Sequence, residues 1–192
     1  MKKYTSLVLA LIVLWSCKQE EPANYVILSG TMSNTKGGEL KITSLNGFSK
    51  TINVMDTGTF NDTLYIPEDG LYNLRYEQGR MAPYLVKGAT IHFDADAKKF
   101  YETLKFSGDN TELNNYYAYK ANKDYNFMMN REASYNVEES TFEAKIKDLQ
   151  IDLENKLKAV KDIPEDIKAK ELRAINYGRL AKKKGYERMY GY

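Results

Sequence analysis

The hydrophobic pattern of this chain changes its period at Gly108, and this change sets the expected fold class. Over residues 25–108, apolar and polar side chains alternate in short runs that end at Gly, Pro, Asn or Asp, as in antiparallel strands joined by tight turns. Over residues 109–192, apolar side chains recur at steps of three and four, as on one face of a helix. The sequence therefore predicts an α+β fold, with a small antiparallel β-sandwich or open barrel followed by a C-terminal helical segment. The side chains predicted to face the core in two of the strands are Tyr72, Leu74 and Tyr76, and Ile91, Phe93 and Ala95.

The clearest predicted helix covers residues 139–160 and carries one narrow apolar stripe. The stripe consists of Phe142, Ile146, Leu149, Leu153, Leu157 and Val160. Such a stripe either packs against the rest of the chain or forms a coiled-coil seam with a second copy. Another helix is predicted to begin at Pro164 and to end at Gly185, directly after three lysines.

Residues 1–16 have the layout of a bacterial lipoprotein signal peptide. Lys2 and Lys3 form a short basic segment, and residues 7–15 are an uncharged apolar run that is too short to span a bilayer as a helix. The run leads to Cys17, which is the only cysteine in the chain.

The sequence Leu14-Trp15-Ser16-Cys17 resembles a lipobox, in which the cysteine is lipidated and becomes the first residue after cleavage. Residues 17–24 would then be a polar tether, because they contain no core-forming side chains. The alternative is an ordinary secretory signal with an incidental or buried thiol. Lipidation predicts a protein that acylated Cys17 anchors to a membrane of the cell envelope, on the periplasmic face or at the cell surface.

Charge and residue content exclude several classes of function. The chain has 28 Lys plus Arg and 26 Asp plus Glu, so removal of Lys2 and Lys3 with the signal peptide would leave equal numbers of both signs. A nucleic-acid partner is not expected, because binding would need a basic surplus. One cysteine excludes an intramolecular disulfide and a CxxC redox pair, and one histidine excludes a multi-histidine metal site. We expect no cofactor and no bound metal.

A segment rich in tyrosine and asparagine opens the helical region and supplies the candidate ligand or partner contacts. These candidates are Tyr116, Tyr117 and Tyr119, and Asn114, Asn115, Asn122 and Asn126 are interleaved with them. Aromatic rings beside amides can stack on a sugar or hold a peptide. Tyrosine also fills the margin of a small core, with its ring buried and its hydroxyl in water. The sequence leaves both interpretations open.

His92, Asp94 and Asp96 occupy alternate positions of one predicted strand and therefore share a face. Such a cluster could bind a divalent cation or transfer protons. The interpretation that we favour is the polar outer face that an antiparallel strand normally presents to solvent. We find no defensible Ser/His/Asp set, phosphate-binding loop or zinc-protease motif in the sequence, so we predict no catalytic residues.

Two short motifs and the order of the parts suggest a family. Residues 56–60 (DTGTF) lie in the β region, and residues 106–115 (FSGDNTELNN) lead into the helices. The whole arrangement resembles the N-terminal region of Bacteroidetes TlpA-type thiol-disulfide reductase lipoproteins. In that family, a β domain and helices precede a thioredoxin domain. The lysine and the acidic residues that follow Cys17 also resemble the surface-export signals of Bacteroidetes lipoproteins.

The resemblance implies an accessory role, because this chain has no CxxC and no catalytic residue of the family can be assigned to it. The first hypothesis is a non-catalytic docking module, with a protein or a thioredoxin-like domain as its partner. The second is a truncated thiol-disulfide oxidoreductase whose thioredoxin domain lies beyond residue 192. The third is a surface lipoprotein that binds a glycan or peptide through the tyrosine- and asparagine-rich segment. The oligomeric state is left open.

Overall fold

The structure is a computed structural model that describes residues 23–190. The predicted signal peptide and Cys17 lie outside the described residues. The strands are β1 (Val26–Ser33), β2 (Gly38–Thr43), β3 (Ser49–Val54), β4 (Thr59–Leu64), β5 (Gly70–Leu71), β6 (Asn73–Tyr76), β7 (Gly79–Met81), β8 (Tyr84–Leu85), β9 (Thr90–Asp96) and β10 (Lys105–Gly108). The helices are α1 (Phe100–Thr103), α2 (Thr111–Met129), α3 (Arg131–Ser134), α4 (Glu139–Lys158) and α5 (Glu165–Tyr190).

The strands form two four-stranded sheets and one small two-stranded sheet. Their orders are β10-β9-β1-β4, β3-β2-β6-β7 and β5-β8. Inward side chains of both larger sheets belong to one apolar core, and the sheets do not close into a barrel. The α+β class is therefore confirmed. The side chains predicted to face inward are buried in both strands. They are Tyr72, Leu74 and Tyr76 in and beside β6, and Ile91, Phe93 and Ala95 in β9.

One strand pair departs from the antiparallel prediction. Strands β1 and β9 pair in parallel, with Ile27 opposite Thr90 and Ser33 opposite Asp96. A parallel pair needs a long connection, and here the whole second sheet lies between the two strands in the chain. The direction of pairing depends on how the chain connects the two strands. The alternation of apolar and polar residues within β1 and β9 therefore does not reveal it.

The turn between β3 and β4 carries the chain from one sheet to the other and depends on Gly58. This residue has φ +86°, and its carbonyl accepts a 2.8 Å hydrogen bond from the N–H of Met32. A Cβ at this position would lie 2.0 Å from the carbonyl oxygen of Met32. The turn is therefore restricted to glycine by conformation and by space.

Helix α2 starts at the same end of the sheets as β1. The N–H of Asp109 donates to the carbonyl of Thr90 at 2.9 Å, and Thr90 pairs with Ile27 near the start of β1. At a rise of about 1.5 Å per residue, Met129 at the other end of α2 lies about 27 Å from Thr111. The helices thus extend from the start of β1 toward a distal tip, which we define as residues 127–135 and 186–190.

The apolar stripe of α4 is buried within the chain itself. Leu153 and Leu157 belong to the main core, whereas Phe142 and Ile146 form a second cluster with Tyr186 of α5. These side chains are therefore engaged inside the fold. Their burial favours packing of the stripe against the rest of the chain over a coiled-coil seam with a second copy.

The predicted end of the last helix at Gly185 is wrong, because α5 continues to Tyr190. Tyr186 stacks on Phe142 with a centroid distance of 4.2 Å, and its hydroxyl donates to the carbonyl of Val137 at 2.7 Å. These contacts hold the last turns in helical form despite the glycine. Among residues 23–190, no helix is both long enough and apolar enough to cross a bilayer.

Candidate functional site

Asn114 joins α2 to the small sheet. Its side chain is fully buried, its Oδ1 accepts from the N–H of Tyr84 at 2.7 Å, and its Nδ2 donates to the carbonyl of Tyr84 at 3.2 Å. One amide thus satisfies both backbone groups of one strand residue, as a neighbouring strand would.

Asn115 makes the same double contact with an edge strand of the larger sheet. Its Oδ1 accepts from the N–H of Phe106 at 2.8 Å, and its Nδ2 donates to the carbonyl of Phe106 at 2.9 Å. Phe106 lies in β10, which has a sheet neighbour on one side only. The asparagines at the start of α2 therefore have a structural role, because their side chains hydrogen-bond to backbone groups of the strands.

Two of the three candidate tyrosines lie in the core. Tyr116 is 1% exposed and Tyr117 is 5% exposed. The hydroxyl of Tyr116 donates to Glu171 at 2.7 Å, and burial is the main cause that raises the pKa of both phenols above 10.0. These two side chains have almost no surface to offer to a ligand, although Tyr116 borders the cleft described next, and their burial favours the core interpretation.

Tyr119 lies on the wall of a cleft of about 620 Å³ between α1, α2 and the C-terminal end of α4. Its hydroxyl donates to the Asp152 carboxylate, with distances of 2.9 and 2.7 Å to the two oxygens. The Nζ atoms of Lys123 and Lys156 lie 5.0 and 5.2 Å from its ring centroid. Partial burial, followed by the hydrogen bond to Asp152, raises the pKa of Tyr119. Tyr119 therefore keeps its proton at neutral pH.

Tyr101 of α1 also lines the cleft, and contacts with its ring, carbonyl and hydroxyl hold it in place. Its ring stacks on Tyr125 with a centroid distance of 4.1 Å and an interplanar angle of 16°. Its carbonyl accepts from Asn122 Nδ2 at 2.7 Å, and its hydroxyl accepts from the N–H of Arg80 at 3.1 Å. Leu104, Ala118 and Val160 add apolar lining. The cleft thus combines apolar lining, held aromatic rings and the Lys156 ammonium, and it suits a ligand with both apolar and polar faces.

His92 and Asp94 meet on the outer face of their sheet. His92 Nε2 lies 3.1 Å from Asp94 Oδ1, and His92 Nδ1 lies 3.1 Å from Ser29 Oγ on the neighbouring strand. The sequence alone does not predict this linear Ser–His–Asp contact, because Ser29 and His92 become neighbours only through the parallel pairing of their strands. Their strands use the backbone N–H groups in the sheet ladder, so Ser29 lacks the oxyanion donors that acyl transfer requires.

The side chain of Asp96 bonds to the turn before α1 and to the loop between β1 and β2. It accepts from Asn34 Nδ2 at 2.5 Å and from the N–H of Lys98 at 2.8 Å. The hydrogen bond from Asn34 is the main cause that lowers the pKa of Asp96. Within residues 23–190, no group of three His, Cys, Asp or Glu side chains is placed to hold a metal ion.

Comparisons with known proteins give no family for this chain. No protein-family model matches it, and no curated protein matches it. A crystal structure of a DUF3823 family protein from Parabacteroides merdae is similar over 45% of this chain and 47% of that chain, with 16% sequence identity and a TM-score of 0.27. The match thus spans about half of either chain, and at this TM-score it carries no argument about fold or function.

Proposed function

We propose that this chain is a lipid-anchored docking module of the bacterial cell envelope. The observation that carries the proposal is the order of a basic segment, an apolar run, Cys17 and a polar tether, directly followed by a strand that belongs to the core from Val26 onward. The buried core of the described residues begins at Val26, directly after the tether. Lipid attachment is the use that the sequence context of Cys17 favours.

The distal tip supports a docking role. Met128, Met129 and Met189 are exposed there, at 61%, 65% and 46%. Exposed apolar patches mark interaction sites, and the unbranched methionine side chain adapts to different partner surfaces. The resemblance to TlpA-type lipoproteins favours a protein or a thioredoxin-like domain as the partner.

Membrane fractionation tests the anchor. We expect the wild-type chain to sediment with membranes and Cys17→Ala to appear in the soluble fraction, because the variant has no thiol to acylate. Gln19→Ala is the matched control, since it changes the tether and keeps the cysteine. Equal membrane association of wild type and Cys17→Ala would contradict the proposal.

Affinity purification from solubilised native membranes tests docking. We expect Met129→Glu to lose a co-purifying protein that the wild type retains, because the charge interrupts the apolar patch. Ile151→Glu is the control, since Ile151 is an exposed apolar residue of α4 outside the tip. Retention of the same protein by both variants would exclude the tip as the docking surface.

A second candidate function is the binding of a glycan or peptide in the cleft. The observation that favours it is the placement of Tyr119 and Lys156 on the walls of a cleft large enough for a small ligand. Soluble oligosaccharides and short peptides can be screened by native mass spectrometry. Binding that Tyr119→Ala removes and Tyr177→Ala keeps would support this function, because Tyr177 is an exposed tyrosine on α5 away from the cleft lining. Equal binding by both variants would exclude it.

A further inference from the structure

The chain enters the fold at one end of the sheets, beside the loop between β8 and β9. The N–H of Gly88 donates to the carbonyl of Tyr25 at 2.8 Å. The N–H of Ile27 donates to the carbonyl of Ala89 at 3.0 Å. These bonds fix the point at which the tether meets the folded body.

Two further loops lie at the same end. The backbone N–H of Lys87 donates to Asp69 Oδ1 at 2.8 Å, and its Nζ donates to the carbonyl of Pro67 at 2.8 Å. Asn46 Nδ2 donates to Glu68 Oε1 at 2.8 Å, which brings the tip of the β2–β3 hairpin to these loops. We define the entry end as residues 23–25, 44–48, 65–69 and 86–89.

The entry end exposes two large side chains with apolar surface. Leu45 is fully exposed at the hairpin tip, and Tyr65 is 67% exposed. The ring of Tyr65 packs edge-on against Tyr25, with a centroid distance of 6.0 Å. A leucine held at the tip of a hairpin can enter the acyl boundary, and a tyrosine, with an apolar ring and a polar hydroxyl, suits the headgroup level.

We infer that the entry end contacts the headgroup layer of the bilayer into which the lipid on Cys17 inserts. This inference rests on the lipidation proposed above. Covalent geometry limits the path from Cys17 to Ala23 to about 22 Å even when fully extended, so the entry end stays near the lipid. Its charges are mixed, with Glu68 and Asp69 beside Lys87, and contact therefore needs no anionic lipid.

This orientation also decides what faces away from the membrane. The distal tip lies at the far end of α2, which starts beside Thr90, next to the entry end. The tip and its exposed methionines therefore face away from the bilayer and stay open to a partner.

Fluorescence quenching by brominated phosphatidylcholine tests the orientation. The only tryptophan of the chain is Trp15 in the predicted signal peptide, so cleavage before Cys17 leaves a chain without tryptophan. Leu45→Trp and Met128→Trp each introduce one reporter, at the entry end and at the distal tip respectively, and both native side chains are exposed. The proteins are purified from native membranes and reconstituted on vesicles, and circular dichroism checks their fold.

We expect both variants to float with the vesicles and only Leu45→Trp to be strongly quenched. Equal quenching of the two reporters, or stronger quenching of Met128→Trp, on vesicles that carry the protein would overturn the orientation while leaving the anchor intact. Failure of both variants to float would overturn the lipidation itself and the orientation that rests on it. Flotation and quenching thus separate the two claims.

Discussion

The hydroxyl of Tyr116 on α2 donates a 2.7 Å hydrogen bond to the carboxylate of Glu171 on α5, and both side chains are buried. Lys120 Nζ donates to the same carboxylate oxygen at 2.5 Å. A buried carboxylate needs such partners, since removing it from water is costly. This contact connects α2, which packs against the strands, with α5, whose last residues belong to the distal tip.

Loss of this carboxylate is expected to destabilise the fold strongly. Glu171→Ala should lower the free energy of unfolding by about 3–5 kcal/mol, because it leaves Lys120 and the Tyr116 hydroxyl without their acceptor. Tyr116→Phe should cost only about 1–2 kcal/mol, since Lys120 still pairs with the carboxylate. Urea unfolding measures both. Equal and small losses would show that the buried contact contributes little.

Stability should fall at alkaline pH. Burial raises the pKa of Tyr116, and the nearby Glu171 raises it further, whereas the phenol of the unfolded chain titrates near pH 10. Above about pH 10 the unfolded state releases this proton and the folded state keeps it, so the free energy of unfolding decreases by up to about 1.4 kcal/mol per pH unit. Tyr116→Phe should show a shallower decrease between pH 10 and pH 11. An unchanged slope would contradict the role of burial at this residue.

The double contact of Asn114 is expected to fix α2 on the small sheet. Asn114→Ala should cost about 2–4 kcal/mol, because the N–H and carbonyl of Tyr84 lose their partner. Asn126→Ala should change stability by less than about 0.5 kcal/mol, since its side chain is exposed and, within residues 23–190, hydrogen-bonds only to Asn122. Thermal unfolding compares the two. A similar loss in both variants would contradict the specific role of Asn114.

Two glycines with similar φ angles should respond differently to alanine. Gly47 has φ +91° and nothing within 4 Å of an added Cβ, so Gly47→Ala should cost about 1 kcal/mol from conformation alone. Gly58→Ala should cost about 2–3 kcal/mol more, because the added Cβ collides with the main chain of Met32. Denaturant midpoints test this difference, and equal midpoints would show that the turn can move away from β1.

Local patterns predict much of this fold. Alternation in β6 and β9 identifies the buried faces correctly, and the spacing of Phe142, Ile146, Leu153 and Leu157 identifies the buried face of α4. These patterns are informative because burial of one face acts on each element separately. The parallel pairing of β1 with β9 depends on the path of the chain between them, so no pattern inside either strand reveals it.

The candidate site was less predictable, for a similar reason. The segment from Asn114 to Asn122 has the composition of a binding surface, yet Asn114 and Asn115 hold backbone groups of strands and Tyr116 is buried. Of the three candidate tyrosines, Tyr119 alone is more than marginally exposed, and its partner Asp152 lies on another helix. Composition shows which chemistry is present, whereas the packing of α2 against the sheets decides which side chains remain accessible.

Intact-mass and N-terminal peptide mass spectrometry of the protein from its native membranes tests the central claim most directly. We predict a chain whose first residue is Cys17 and whose N-terminal peptide carries the added mass of acyl groups on that cysteine. An N-terminal peptide with unmodified Cys17, or one that begins upstream of Cys17, would contradict the account of a lipid-anchored module.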